Sequence, residues 1–117
     1  MNDVERQRML RLIGLGVRGR GAVVGVQQVR EAAKKGTLAF AIVAPDASTH
    51  SLDKLLPLLR ARGIRFSETV SAGELGAAVG RESTAAVGIV DRQLAKGIRD
   101  IVESTDSDGA GRDRRGV

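Results

Sequence analysis

The chain has 117 residues, of which 42% are hydrophobic and 2% aromatic, with no cysteine and one histidine, His50. This composition predicts one domain with an aliphatic core, and it excludes disulfides, thiolate metal sites and clusters of histidine ligands. No apolar run approaches the roughly 20 residues of a membrane span. The N-terminus carries acidic residues and no apolar segment typical of a secretory signal. We therefore expect no membrane partner and a cytoplasmic location.

The net charge of +5 is unevenly distributed along the chain. Residues 1–36 carry eight Lys or Arg and three Asp or Glu, whereas residues 37–103 carry eight of each and residues 104–117 three of each. The whole excess of positive charge therefore lies in the first third. A one-sided basic field indicates an anionic partner, most commonly nucleic acid; a solvated basic helix surface without a partner is the alternative.

Apolar periodicity and turn residues predict helices and strands in strict alternation. In chain order they are a helix over 4–15, a strand over 22–24, a helix over 26–35, a strand over 38–45, a helix over 46–63, a strand over 64–70, a helix over 71–80, a strand over 84–90 and a helix over 91–104. This alternation predicts an α/β fold, a three-layer α/β/α sandwich around a four-stranded mixed sheet. We expect a single domain over 1–103 and a disordered tail over 104–117, because the tail lacks an apolar pattern.

Several local signals predict where helices begin and end. Asn2 or Asp3 is placed to cap the first helix, and the glycine stretch 14–21 is expected to break it. Gly36 is expected to end the second helix. Ser71 and the glutamate three residues later form the S-x-x-E pattern of a capping box.

Gly14, Gly16 and Gly19 stand at the G-x-G-x-x-G spacing of a dinucleotide-binding loop. That loop must follow a strand and open a helix, so that the pyrophosphate meets the helix N-terminus. Here a predicted helix precedes the glycines and a strand follows them, so the order is reversed. We therefore expect no cofactor and interpret the stretch as a flexible connection that holds Arg18 and Arg20 in solvent.

Ser48, His50 and Asp53 have the residue types of a hydrolytic triad. They lie within six residues at a predicted helix start, where they cannot converge into the relay that nucleophilic catalysis requires. Capping and surface roles fit them better. No other catalytic grouping is visible, so the sequence does not predict an enzyme.

Four stretches resemble, in order and spacing, the L7Ae (L-seven-Ae) family of ribosomal proteins, most closely its small bacterial YlxQ-type members. They are GVQQVREAAKKG (25–36), LAFAIVAPDAS (38–48), IRFSETVSAGELGAAVGRE (64–82) and AAVGIVD (85–91). The similarity covers about residues 9–102. It implies an α/β/α sandwich that binds kink-turn RNA, with the ribosome as a candidate partner.

The resemblance also implies which residues contact RNA. One surface is the turn before the second helix, where the family pattern G-x-N-E-x-x-K falls on Gly25, Gln27, Gln28 and Glu31; the other is the loop before the last strand. Basic residues on the second helix would neutralise phosphates, and the basic residues after the first helix would add positive field beside the turn. The candidate RNA-binding residues are Arg18, Arg20, Gly25, Gln27, Gln28, Arg30, Glu31, Lys34, Arg81, Glu82, Ser83 and Thr84.

Three positions depart from the G-x-N-E-x-x-K pattern, and two positions in the strand before it also differ from the family. Gln27 replaces an asparagine, Gln28 an acid and Glu31 a lysine, and the preceding strand residues Val23 and Val24 are apolar where the family often has basic side chains. These departures predict RNA binding that is weaker than, or different from, that of the family. A protein-interaction module that has lost kink-turn binding is the alternative, and a small-molecule enzyme that uses the glycine loop is a third hypothesis.

Overall fold

The computed structural model describes residues 1–108, with the side chains of the last helix described as far as residue 103. Helices and strands alternate throughout this part, as predicted. The elements are α1 (Asp3–Arg18), β1 (Ala22–Val24), α2 (Val26–Lys35), β2 (Phe40–Val43), α3 (Thr49–Ala61), β3 (Phe66–Ser67), α4 (Ala72–Ala78), β4 (Ala86–Ile89) and α5 (Arg92–Asp108).

The four strands form one mixed sheet in the order β1-β4-β2-β3. β4 runs antiparallel to both β1 and β2, and β2 runs parallel to β3. Every residue of β2 and β4 is buried. Their sequences FAIV and AVGI are apolar on both faces, as strands covered by helices on each side must be. The four-stranded mixed sheet of the prediction is confirmed.

Helices cover both faces of the sheet and complete three layers. α1, α4 and α5 pack on one face, and α2 and α3 pack on the other. The first core contains Met9, Ile13, Ala22, Phe40, Ile42, Val70, Leu75, Val87, Ile89, Ala95, Ile98 and Ile101. The second contains Val29, Ala32, Ala33, Leu38, Ala41, Val43, Leu55, Leu59 and Ala86. The predicted α/β/α sandwich is therefore the observed architecture.

The first helix ends within the glycine stretch 14–21 as predicted, but at Arg18, three residues beyond the predicted end at residue 15. α1 continues through Gly14 and Gly16 as far as Arg18. A Cβ on Gly14 would lie 2.6 Å from the carbonyl oxygen of Ala78, and one on Gly16 would lie 2.2 Å from Cδ2 of Leu94. These glycines allow α1 to approach α4 and α5 closely. They therefore do not form the phosphate-binding loop that the motif would require.

The last helix extends beyond the predicted end of the domain. The tail was expected to begin at residue 104, but α5 continues to Asp108. After Gly97 the next glycine is Gly109, so no helix-breaking residue stands at the predicted boundary. The remainder of the predicted tail, residues 109–117, lies outside the described residues. No helix within residues 1–108 is long and apolar enough to cross a membrane.

The predicted capping residues occupy the helix ends. Asn2 forms a capping box at α1, and Ser71 forms one with Glu74 at α4. Ser48 accepts a hydrogen bond from the backbone N–H of Ser51 at 3.1 Å. This bond gives Ser48 the capping role at α3 that its position predicts.

Glu74 makes two polar contacts at the start of α4. Its carboxylate accepts a hydrogen bond from the backbone N–H of Ser71 at 3.0 Å and lies 3.3 Å from the Arg6 guanidinium. The Ser71 N–H is the main cause that lowers the pKa of Glu74 below its usual 4.5; partial burial opposes it, and the Ser71 hydroxyl and Arg6 lower it further.

Glu74→Gln is expected to lower the melting temperature near neutral pH. The difference in melting temperature from the unmodified protein should become smaller as the pH falls. A carboxylate with a lowered pKa in the folded chain stabilises the fold above its unfolded value, and this contribution is lost as the pH falls through the folded value. Thermal melts of both proteins between about pH 7 and pH 3 measure the effect. Glu68→Gln, at an exposed carboxylate, is the control. A deficit for Glu74→Gln that stays constant with pH would contradict the assignment.

Candidate nucleic-acid interface

The turn between β1 and α2 places a glycine at the start of a helix. Gly25 is the N-cap of α2 with φ of +99°, a left-handed conformation that favours glycine. A Cβ at this position would face open space, since no atom of the described residues lies within 4 Å of it. The backbone conformation thus favours glycine at this position.

The N-terminus of α2 has no side-chain cap. Asn2, Ser48 and Ser71 cap α1, α3 and α4, and the Asp91 carboxylate accepts a hydrogen bond from Leu94 N–H at 2.9 Å in α5. At α2 no side chain of the residues that the structure describes makes such a bond. Its first-turn N–H groups and the positive end of the helix dipole are therefore open to an anion.

Gln27, Gln28 and Glu31 lie on the exposed side of α2. The Gln27 side-chain amide donates a hydrogen bond to Oε2 of Glu31 at 3.2 Å. The Gln28 side chain makes no hydrogen bond within the described part of the chain, so its amide donor and acceptor are both open to solvent. Side-chain amides of this kind can pair with base edges.

The basic residues of α2 do not converge on its N-terminus. Arg30 is half-buried and donates a hydrogen bond to the carbonyl oxygen of Lys54, so it is held against α3. Lys34 is exposed in the last turn. It lies about 10 Å along the helix axis from Gln27. Positive charge on α2 is thus displaced from the uncapped end.

The loop between α4 and β4 is pinned to the helix before it. A Cβ on Gly76 would lie 2.4 Å from Cα of Ser83, which shows how closely the loop packs. The backbone N–H of Arg81 donates to the carbonyl of Gly76 at 2.8 Å, and that of Thr84 donates to Ala72 at 3.1 Å. The loop therefore presents a defined surface.

The side chains of this loop are divided between surface and interior. Arg81, Glu82 and Ser83 are exposed, whereas Thr84 is buried and its hydroxyl lies 3.3 Å from the carbonyl oxygen of Ala86. Thr84 was predicted as a contact residue, but its side chain supports the loop from inside. The surface of the loop is its exposed tip, residues 81–83.

A backbone hydrogen bond joins the two segments. The N–H of Gly25 donates to the carbonyl of Ala86 at 2.9 Å, continuing the antiparallel pairing in which Val24 lies opposite Val87. The uncapped end of α2 and the α4–β4 loop consequently lie at one edge of the sheet. We call this surface, formed by residues 25–28, 31 and 81–83, the α2–loop edge.

Arg18 and Arg20 lie in two different places. Arg18 ends α1 and lines a groove with Ala77 and Ala78, at the end of α4 where the loop begins. Arg20, with φ of +65°, precedes β1, and the length of that strand separates it from Gly25. Arg18 is thus next to α4, the helix that the α4–β4 loop follows, and Arg20 is at the other end of β1 from Gly25.

Sequence reasoning anticipated one feature of this edge and missed another. The absence of a cap on α2 was readable, because position 25 is glycine and not one of the usual capping residues Ser, Thr, Asp or Asn. The packing of Gly76 against Ser83 was not readable, since it depends on how the loop folds back over α4.

The sheet order, the two helical layers and the shared polar edge define a small three-layer α/β/α protein. The chain belongs to the ribosomal protein L7Ae/L30e/S12e/Gadd45 family, whose pattern matches residues 7–105. The predicted family resemblance is thereby confirmed.

Two solved structures illustrate the similarity. A protein of unknown function from Bacillus halodurans C is 26% identical with a TM-score of 0.75, over 81% of this chain and 96% of that chain. A Giardia lamblia 15.5kD RNA binding protein is 20% identical with a TM-score of 0.72, over 89% of each chain. A comparison with curated protein sequences finds no match. Membership of the YlxQ-type subgroup stays a prediction.

Proposed function

We propose that this protein binds structured RNA of the kink-turn type through the α2–loop edge. The observation that carries the proposal is the uncapped N-terminus of α2, joined to the pinned loop by the hydrogen bond between Gly25 and Ala86. Family membership supports it. On the basis of family membership we also propose that the protein is not an enzyme and is located in the cytoplasm. Its partner would be RNA, in the ribosome or elsewhere.

Each part of the edge has a chemical task in this proposal. A backbone phosphate accepts hydrogen bonds from the free first-turn N–H groups of α2, where Gly25 leaves room for close approach. The amides of Gln27 and Gln28 pair with base edges exposed by the kink. The loop tip at residues 81–83 packs against nucleotides that have left the stack.

Glu31 limits the strength of this binding. Its carboxylate lies one helical turn from Gln27 and accepts a hydrogen bond from the amide of that residue. A negative charge close to an approaching phosphate raises the energy of the complex, and the bond to Gln27 competes with a base for the same donor. We therefore propose weaker binding than that of family members with lysine at this position.

A protein-interaction module is the second candidate function. The observation that favours it is the exposed carboxylate of Glu31 at the place where the family pattern has a cation. This alternative predicts no preference for kinked RNA over an unkinked duplex of equal length, and a protein partner that is retained at high salt.

Gln27→Ala combined with Gln28→Ala is expected to weaken binding to a kink-turn RNA at least about tenfold. Two base-pairing amides are lost, each worth about 1 kcal/mol or more. Fluorescence anisotropy with a labelled RNA at fixed salt measures the change.

Gln93→Ala is the matched control, because Gln93 is also an exposed glutamine in the first turn of a helix. It lies beyond the far end of β4, away from the α2–loop edge. The RNA affinity of the Gln93→Ala variant should equal that of the unmodified protein. Equal effects of both changes, or no effect of either, would contradict the proposed site.

A further inference from the structure

The outer face of α1 carries arginines that the α2–loop edge does not use. Arg8, Arg11 and Arg18 are exposed. None of their guanidinium groups forms an ion pair or hydrogen bond within the described part of the chain. Arg6, in contrast, contacts Glu74. Much of the positive excess in the first third of the sequence is therefore unneutralised charge on this one helix.

Two of these arginines flank a groove of about 420 Å³ between α1 and α4. Arg11 and Arg18 are seven residues apart, so they lie on the same side of the helix, about 10 Å apart along its axis. Between them lies Gly14, where a Cβ would lie 2.6 Å from the carbonyl oxygen of Ala78. The groove is therefore shallow, with two cations at its rim.

The groove and the α4–β4 loop both adjoin α4. Arg18 lies beside Ala77 and Ala78, the last residues of α4. The loop starts there, and the N–H of Arg81 bonds back to this helix at Gly76. A polymer that contacts the loop tip therefore has to cross only α4 to reach the groove.

The chemistry of the groove fits phosphate groups and not bases. Unpaired guanidinium groups bind phosphate oxygens in a bidentate manner. The carboxylate that lines the groove, Glu74, is already bound by Ser71 and Arg6. No aromatic ring is available for stacking, because Phe40 is buried in the core and Phe66 packs beneath Arg60.

We propose that the groove between α1 and α4 binds the sugar–phosphate backbone of a helical stem that continues from the RNA kink, with Arg11 and Arg18 as the phosphate ligands. This inference rests on the proposed function and extends it. It names a second RNA segment and the residues that hold it.

The test is Arg11→Ala combined with Arg18→Ala, measured by anisotropy with two RNAs that share one kink. One RNA has a stem extended beyond the kink and the other has that stem cut short. With the long stem, affinity at low salt should fall about tenfold, and the slope of log affinity against log salt should become shallower by about two, since each phosphate contact contributes about 0.9. With the short stem the loss should disappear.

Arg62→Ala combined with Arg92→Ala is the control with the same change in net charge. Both are exposed arginines, one at the end of α3 and the other at the start of α5. All four changes are at the surface, so melting temperatures should stay the same. An equal loss of RNA affinity for both arginine pairs would contradict the proposed groove. So would an equal loss with the long-stem and the short-stem RNA.

Failure of the groove is distinguishable from failure of the proposed function. If Gln27→Ala with Gln28→Ala weakens binding and the arginine pair has no effect, the groove alone is wrong. If the unmodified protein does not distinguish the kinked RNA from an unkinked duplex, both proposals are overturned.

Discussion

Gly76→Ala is expected to lower the free energy of unfolding by about 2 kcal/mol and the melting temperature by about 10 °C. The new methyl group would lie 2.4 Å from Cα and 2.6 Å from the backbone nitrogen of Ser83, and 2.9 Å from the carbonyl carbon of Glu82. These are backbone atoms, so no rotamer change relieves the overlap. The loop must move as a whole, and kink-turn RNA binding should fall with it.

Gly73→Ala is the matched control in the same helix. A Cβ at Gly73 meets only the Ser71 hydroxyl oxygen, at 4.0 Å. Alanine there should raise the free energy of unfolding by about 0.5 kcal/mol, because it restricts the unfolded chain. Chemical denaturation of the three proteins measures both effects. A Gly76→Ala variant as stable as Gly73→Ala would show that the loop does not pack as described.

Glu31→Lys is expected to raise the affinity for kink-turn RNA about tenfold at low salt and to steepen the salt dependence by about one unit of slope. The change removes a carboxylate, adds a cation beside the phosphate path and frees the Gln27 amide from its 3.2 Å hydrogen bond to Glu31. Anisotropy titrations at several salt concentrations provide both quantities.

Glu68→Lys separates this local effect from a general gain in charge. Glu68 is exposed beside β3, at the opposite side of the sheet from β1. The Glu68→Lys variant makes the same change in net charge as Glu31→Lys, but far from the α2–loop edge. Equal gains from the two variants would mean that RNA responds to total charge alone, and a loss for Glu31→Lys would place the phosphate elsewhere.

The architecture followed from the sequence because its signals were local. Continuous apolar runs predicted the buried β2 and β4, and the S-x-x-E pattern predicted the capping box at Ser71. The predicted end of α1 at residue 15 was three residues too early, because the true end depends on contacts that are distant in the sequence. Whether Gly14 and Gly16 break a helix or let it pack closely depends on Ala78 and Leu94, far along the chain.

The same distinction applies to the candidate site. The family pattern identified Gly25 and the two glutamines, whose exposure agrees with a surface role. It did not identify which neighbours are engaged elsewhere. Arg30 is held by the carbonyl of Lys54 and Thr84 is buried, and both facts arise from tertiary contacts that no local pattern encodes.

The hydrogen bond from Gly25 to Ala86 has a consequence for protein synthesis. It joins the first strand to the last, so the α2–loop edge exists only after β4 has been made and inserted between β1 and β2. Bringing such distant parts of a chain together costs loop-closure entropy, which slows folding. A nascent chain that has just completed α2 would carry the glutamines without the loop beside them. The RNA recognition that we propose for this edge thus requires the finished, folded molecule.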